Sequence, residues 1–275
     1  MAGATEVTYT KYSKLWNFTT DPETGATTRT DLSTPQAQPS HVLKFREPDI
    51  LPNDSYGETE KYSLVNNRTT GTAFANVADV AIQYRDDYDN MVESVDNYKG
   101  FYIGRYEITS NGEKPGESLG DINWYTFYNQ CLTYGTNYTE SGMIYGCLWD
   151  ATMQWLAKSN YWVGYSGKTY SGYGNYKTEA VKVGNADVII TVKAQGTVQK
   201  LLTGQTSYTK SNNIYDLSGN CYDWTQEACT TADRVYRGGS FYDYAGFQTY
   251  MSYRHRRNPT LYADSLTSRL HFYVK

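Results

Sequence analysis

No run of about 18 apolar residues occurs in the 275-residue chain, and a helix crossing a bilayer needs one of that length. Membrane insertion through a helix is therefore not expected. The N-terminus, MAGATEVTYTKYSKLW, lacks the charged-then-apolar order of a secretory signal, so the chain reads as soluble and not exported by that route. Histidine is scarce, with only His41, His255 and His271, and the four cysteines Cys131, Cys147, Cys221 and Cys229 show no C-x-x-C spacing. A zinc site is not expected on that pattern, and reduced, mostly buried thiols are expected, because a chain of this length does not need disulfide staples. There is no D-x-D-x-D-G calcium loop. GYSGKTYSGYGN has the glycine density of a phosphate loop without its G-x-x-x-x-G-K-[ST] spacing. Excess positive charge is absent as well: the formal net charge is -4, which argues against a nonspecific nucleic-acid binder.

What the chain has in abundance is tyrosine, 29 residues against 8 phenylalanines. Tyrosine buries a large ring and keeps a hydroxyl for water or a partner, so it suits both core lining and a binding surface. Most of these rings are expected in the core, and those near the C-terminus are candidates for recognition.

Residues 1–60 are rich in Thr, Ser, Pro and Asp with little periodicity, and read as an extended arm carrying a few short strands. The main domain is expected over residues 61–275. Val77, Val80, Ala81, Tyr84, Tyr88, Met91, Val92 and Val95 recur at three-and-four spacing, which predicts a helix over 76–98 ended by Lys99-Gly100. FYIGRYEIT then reads as a strand. Asp121 is the expected cap of a second helix with Ile122, Tyr125, Tyr128 and Leu132 on one side, and a third helix is expected over Leu148–Leu156. From Tyr161 to Lys210 the composition predicts irregular loops, interrupted by the strand-like DVIITVKA.

The last sixty residues combine a frame with an insert. The frame runs IYDLSGNCYDWT, RVYRGGS, Arg254, Pro259 and SRLHFYVK. Within it lie Phe241, Tyr242, Asp243, Tyr244, Phe247, Tyr250, Tyr253, His255, Arg256, Arg257, Leu261 and Tyr262, side chains suited to contacts rather than to turning a backbone. Gly219-Asn220 can take the left-handed backbone of a tight turn, Trp224 can fill a core, and Gly238-Gly239 permit close backbone approach. Arg254 and Arg269 offer guanidinium forks to carbonyls or to a carboxylate such as Asp223.

GNCYDWT followed by RVYRGGS resembles the signature of the formylglycine-generating-enzyme-like, or sulfatase-modifying-factor, domain, carried by Gly219, Asn220, Tyr222, Asp223, Trp224, Thr225, Arg234, Val235, Arg237, Gly238, Gly239 and Ser240. FYIGRYEIT is similar to that family's early strand, so the resemblance covers about residues 75–275. It implies an α+β chain with a C-type lectin fold, helices packed on small antiparallel sheets with much irregular loop.

The two cysteines that perform oxidation in that family correspond to Gly246 and Met251, neither of which offers a thiolate. The histidine arrangement of iron-dependent sulfoxide synthases of the same superfamily has no counterpart among His41, His255 and His271. A frame without those nucleophiles resembles the variable proteins of diversity-generating retroelements of phages and bacteria, in which substitutions fall in the final segment, here about 234–275. Most insert residues are types that first- and second-position changes of an AAC or AAT codon produce; Gln248 and Met251 are not. The ending TSRLHFYVK departs from the family's G-F-R by placing Thr267 and Ser268 before Arg269.

The resemblance thus implies a non-enzymatic protein that recognises a protein or glycan on a host-cell surface. It implies no cofactor and display on a virion or phage tail; the net charge and the Cys and His pattern point to no nucleic acid and no metal, and the arm either attaches to a particle or packs against the main domain. Two alternatives stay open: an oxidoreductase of the same fold with relocated residues such as Cys221, and an undiversified carbohydrate-binding domain.

Overall fold

A computed structural model describes residues 61–112, 114–158, 174–184, 189–230, 233–244 and 251–275, together with the backbone of four short strands before residue 61. Those four are β1 (Ala4–Thr8), β2 (Trp16–Thr20), β3 (Thr27–Asp31) and β4 (Ala37–Pro39). β2, β3 and β4 pair as an antiparallel meander, and β1 pairs with a strand of the main domain. Among the described residues three α-helices and several small sheets make an α+β arrangement.

Helix α1 (Val77–Tyr98) forms where the periodicity places it. The Asn76 side chain accepts from the Asp79 N–H at 3.0 Å and donates to the Asp79 carboxylate at 2.8 Å, satisfying donors that a first turn leaves open. At the other end Lys99 takes a left-handed φ of 61° and its N–H returns to the Val95 carbonyl. Val80, Tyr84, Tyr88, Met91 and Val95 face the core. The buried Asp87 on the same face receives a two-pronged contact from Arg68, at 2.8 and 2.9 Å. Arg68 also reaches Glu140 at 3.0 Å and the Ser141 carbonyl at 2.7 Å, fastening the segment before α1 to the sheet.

Helix α2 (Trp124–Cys131) is capped by Asn123, whose side chain accepts from the Thr126 N–H at 2.9 Å. This corrects the assignment of the cap to Asp121. Asp121 sits at φ 55° in the turn before the helix, where its carboxylate does not cap. Helix α3 (Gly146–Lys158) begins earlier and ends later than its apolar pattern shows. Its first residue is closely packed, since a Cβ on Gly146 would collide with the Glu227 side chain.

The first main sheet has the order β1, β5 (Gly100–Gly104), β15 (Leu270–Val274), β6 (Thr139–Met143), all antiparallel. The expected strand FYIGRYEIT ends at Gly104, and its remainder supplies buried Glu107 and Ile108 to the interior. The second sheet has the order β13 (Arg254–Arg257), β12 (Asp233–Arg237), β11 (Tyr222–Thr230), β14 (Leu266–Ser268). Its β11–β14 pair is parallel, so the sheets are not purely antiparallel as expected. A hairpin of β7 (Val181–Gly184) and β8 (Ile189–Lys193) falls within the stretch read as mostly loop, and β9 (Lys210–Ser211) pairs with β10 (Ile214–Tyr215).

The two main sheets are joined at Arg269, the one residue between β14 and β15. Its side chain is fully buried and donates to the Gly104 carbonyl at 3.0 Å, the Tyr215 carbonyl at 2.9 Å and the Asp223 carboxylate at 3.3 and 3.4 Å. Around it lie two further buried carboxylates. Glu107 accepts from Asn220 at 2.6 Å, from the Cys221 N–H at 2.8 Å and from Ser118. Asp216 accepts from Thr203 at 2.8 Å. Burial lifts Asp223 to about 6, with Arg269 holding it down, and burial raises Glu107 and Asp216 as well.

Gly219 and Asn220 take φ of 78° and 62°, the left-handed turn expected of them. A Cβ on Gly219 would lie 2.6 Å from the Asn175 carbonyl oxygen, so glycine is required there for space as well as conformation. Trp124 is buried, donates to the Thr225 carbonyl at 2.7 Å, stacks on Tyr128 and carries the Arg234 guanidinium at 4.3 Å from its ring. Cys131, Cys147 and Cys221 are buried; the side chain of Cys229, like all of His41, lies outside the described residues.

Replacing Arg269 with Met strands the Asp223 charge in the interior, and unfolding in urea should show a loss of about 3–5 kcal/mol or no folded protein. Arg269→Lys, which keeps the charge but not the fork, should lose less; equal stability of Met and wild type would dismiss this role.

His271 generates a pH prediction. Its ring is buried, its Nδ1 lies 3.0 Å from the Met143 carbonyl, and burial together with the Arg68 charge lowers it from 6.5 to about 3. The unfolded chain therefore takes up a proton near pH 6.5 that the folded one refuses, so stability contributed by neutral His271 is complete above 6.5 and lost as pH falls toward 3. His271→Phe should make melting temperature less sensitive to acid over that window than wild type; parallel curves would disprove the assignment.

Candidate functional site

The candidate site is the face built by the segment between β12 and β15. β12 and β13 pair with Arg234 opposite Arg257, Val235 opposite Arg256, Tyr236 opposite His255 and Arg237 opposite Arg254. Inward-facing arginines fix this ribbon: Arg254 pairs with Glu227, not with Asp223, while Arg237 pairs with Asp150 and donates to the Ser252 carbonyl at 3.0 Å. Arg234 donates to the Gln226 carbonyl at 2.7 Å. Gly238 and Gly239, at φ 92° and 141°, turn the chain away from the sheet.

The predicted contact residues divide into two groups. Phe241 and Asp243 are buried, 3% and 8% exposed, which corrects their placement on the displayed surface. Asp243 locks the loop. Its carboxylate accepts from the Tyr222 hydroxyl at 2.7 Å and the Ser240 N–H at 2.6 Å, while its carbonyl accepts from the Lys177 N–H at 3.0 Å. Burial raises the Asp243 carboxyl, and Tyr222 and Ser240 oppose the shift. Phe241 donates its N–H to the Asn220 carbonyl at 2.9 Å, tying the loop to the left-handed turn.

Tyr242, Tyr244 and Tyr262 are open to solvent, at 48%, 60% and 61%. Each hydroxyl is held by a residue outside the insert or at its far end. Tyr242 donates to the Asp264 carboxylate at 3.2 Å, Tyr244 accepts from the Lys177 ammonium at 2.7 Å, and Tyr262 accepts from the Asn123 amide at 3.0 Å. The Lys177 ammonium also lies 4.7 Å from the Tyr244 ring centroid. Fixing two torsions and a hydroxyl leaves a stiff ring that loses little further entropy on contact.

Between these rings and the core lies an aromatic bed. Tyr222 and Tyr236 have centroids 4.5 Å apart, Tyr253 lies 6.2 Å from Tyr222, and His255 is nearly parallel to Tyr253 at 6.1 Å. Tyr253 and His255 are half-buried, and His255 Nδ1 lies 3.1 Å from the Tyr236 hydroxyl. Arg257 is exposed and hydrogen-bonds the Tyr236 hydroxyl, which raises its own guanidinium. Half-buried Arg256 stands 3.8 Å from Asp233. Leu261 is half-buried against the core. Phe247 and Tyr250 lie outside the described residues, as does Gly246; Met251 is buried, and its carbonyl accepts from the Trp149 indole at 2.7 Å.

Chemically the face offers stacking surface, neutral hydroxyls, guanidiniums, an imidazole and carboxylates. Burial pushes the hydroxyls of Tyr222 and Tyr236 up, and the Asp264 carboxylate does the same for Tyr242, so all three stay protonated donors near neutrality. The Cys221 thiol is buried and raised by burial first and by Glu107 next, which opposes formation of a thiolate. Among the described residues no group of His, Cys, Asp and Glu is placed to hold a metal, and no helix is long and apolar enough to cross a membrane.

The sequence pattern did not point to Asn123, Lys177 or Asp264. Asn123 and Lys177 lie 139 and 67 residues from the rings they hold, and a hydrogen bond to a distant tyrosine leaves no local signature.

No protein-family model and no curated protein matches the chain. Among solved structures it is similar to CarF, at 13% identity over 64% of this chain and 88% of that one, with a TM-score of 0.44. It is similar to PvdO from Pseudomonas aeruginosa at 14% identity, over 64% and 81% of the two chains, with a TM-score of 0.42. It is also similar to Treponema denticola variable protein 1, at 14% identity over 63% and 84%, with a TM-score of 0.39.

Proposed function

We propose that this chain is a non-enzymatic recognition protein with a C-type-lectin-like, formylglycine-generating-enzyme-like domain. On this reading it is a variable protein of a diversity-generating retroelement of phage or prophage origin, whose C-terminal face binds a protein or glycan on a host-cell surface. The observation that carries the reading is the division of labour within one short segment. Arg237, Asp243, Met251, Arg254 and Arg269 are buried in ion pairs, hydrogen bonds or core contacts, while Tyr242, Tyr244 and Tyr262 stand out as anchored rings and the same segment carries half-buried Arg256 and exposed Arg257. Stiff aromatics flanked by guanidiniums are the side chains that carry most binding energy at protein interfaces. Display on a virion or tail, with residues 1–60 as the attachment arm, belongs to the same proposal.

The reading is tested by probing the full chain against arrays of glycans and bacterial surface proteins. The Tyr242→Ala, Tyr244→Ala, Arg256→Ala triple variant should bind at least about thirtyfold more weakly than wild type, the loss expected from one interface hot spot, with an unchanged melting temperature. Unaltered binding would move the site elsewhere. In the gene's surroundings, a reverse transcriptase and an imperfect copy of the 3′ end are expected; sequence differences among related loci that ignore that copy would remove the retroelement part. Turnover with thiol substrates that Cys221→Ser abolishes would favour the oxidoreductase instead.

A further inference from the structure

We propose that the corner formed by Asp121, Asp264, Tyr242 and Tyr262 takes up an arginine or lysine side chain of a protein partner. This rests on the reading of the C-terminal face as a recognition surface and narrows its ligand to a protein with an exposed cation.

The corner is built by two segments that run against one another. The Asp121 N–H donates to the Ala263 carbonyl at 3.0 Å, the Trp124 N–H to the Pro259 carbonyl at 3.0 Å, and the Asn123 amide to the Tyr262 hydroxyl at 3.0 Å. Gly120 permits the approach, since a Cβ there would lie 2.8 Å from the Asp264 carbonyl oxygen. Tyr242 joins from the neighbouring loop through its 3.2 Å bond to Asp264.

Charge complementarity decides the occupant. Among the described residues neither Asp121 nor Asp264 has an ion-pair partner, whereas Lys200, Lys177 and Arg256 are engaged elsewhere. Lys200 pairs with Glu117 at 3.8 Å and donates to the Ser118 carbonyl, Lys177 holds Tyr244, and Arg256 faces Asp233. Both carboxylates act on the Tyr242 hydroxyl and push it up, Asp264 first. With their hydroxyls tied to Asp264 and Asn123, the two exposed tyrosines offer ring surface, Tyr242 on the side away from Phe241, whose ring lies 4.3 Å from its own, and such surface attracts a guanidinium or ammonium through its quadrupole. A cation there would meet a carboxylate and a ring together, a combination that bulk water does not match.

The probe is a fluorescein-labelled tetra-arginine peptide titrated into the full chain by polarisation at physiological salt, where long-range attraction is screened. The Asp121→Asn, Asp264→Asn double variant should bind at least about tenfold more weakly, a loss of about 1.4 kcal/mol. Asparagine accepts the left-handed φ of 55° at position 121, so the turn survives. An Asp86→Asn, Asp89→Asn variant on the solvent face of α1 removes the same charge and should bind as wild type. A second readout is the alkaline absorbance difference between wild type and Tyr242→Phe, which bound peptide should shift to lower pH.

Equal weakening in both charge variants, or none in either, overturns the proposal. If that happens while the Tyr242, Tyr244 and Arg256 triple variant still loses its array ligand, only the cation assignment falls and the recognition face stands.

Discussion

Arg269 is the constraint on which the rest of the molecule depends. It is the one residue between β14 of one four-stranded sheet and β15 of the other, and its guanidinium reaches β5, β10 and β11 at once. A buried arginine is tolerable only if its donors are met, and a buried carboxylate only if its charge is balanced. Glu107, Asp216 and Asp223 share one cation, and burial raises all three carboxyls while Arg269 holds them down. The arrangement trades stability for geometry: it fixes how the two sheets meet, and so where the loops between β12 and β15 emerge.

The same logic explains what could be read in the sequence. Helix α1 was legible because its pattern is long and its ends are marked by Asn76 and Lys99. The left-handed turn at Gly219-Asn220 was legible because few residue types tolerate it. Local patterns failed where a partner far along the chain decided the outcome. The first residue of α3 packs against Glu227, the cap of α2 lies two residues past the aspartate that the pattern favours, and β11 takes its parallel partner β14 from far along the chain. Arg254 was correctly seen as a fork for a carboxylate, but its partner is Glu227, set by the bulged register of β11.

The candidate face shows the limit of composition as a guide. Phe241 and Asp243 belong to the same residue types as their exposed neighbours, yet they point inward, because the turn after Gly239 alternates sides and the interior holds waiting partners in Asn220, Tyr222 and Ser240. Sequence can say that a segment is stocked for contact. It cannot say which of its side chains the frame will claim.

That distinction orders the positions by how freely they can change. Removing Asp243 leaves the buried Tyr222 hydroxyl and the Ser240 N–H without their acceptor, at about 1–3 kcal/mol for each unmet group. Removing Tyr244 returns the Lys177 ammonium to water with no such penalty, because that bond is exposed, and removing the exposed Tyr262 ring uncovers the part-buried Asn123 amide beneath it. A surface that is to be rewritten without unfolding its scaffold needs residues of the second kind, tethered at the tip to groups that water can serve equally well. Tyr242, Tyr244 and Tyr262 meet that condition, and Phe241 and Asp243 do not.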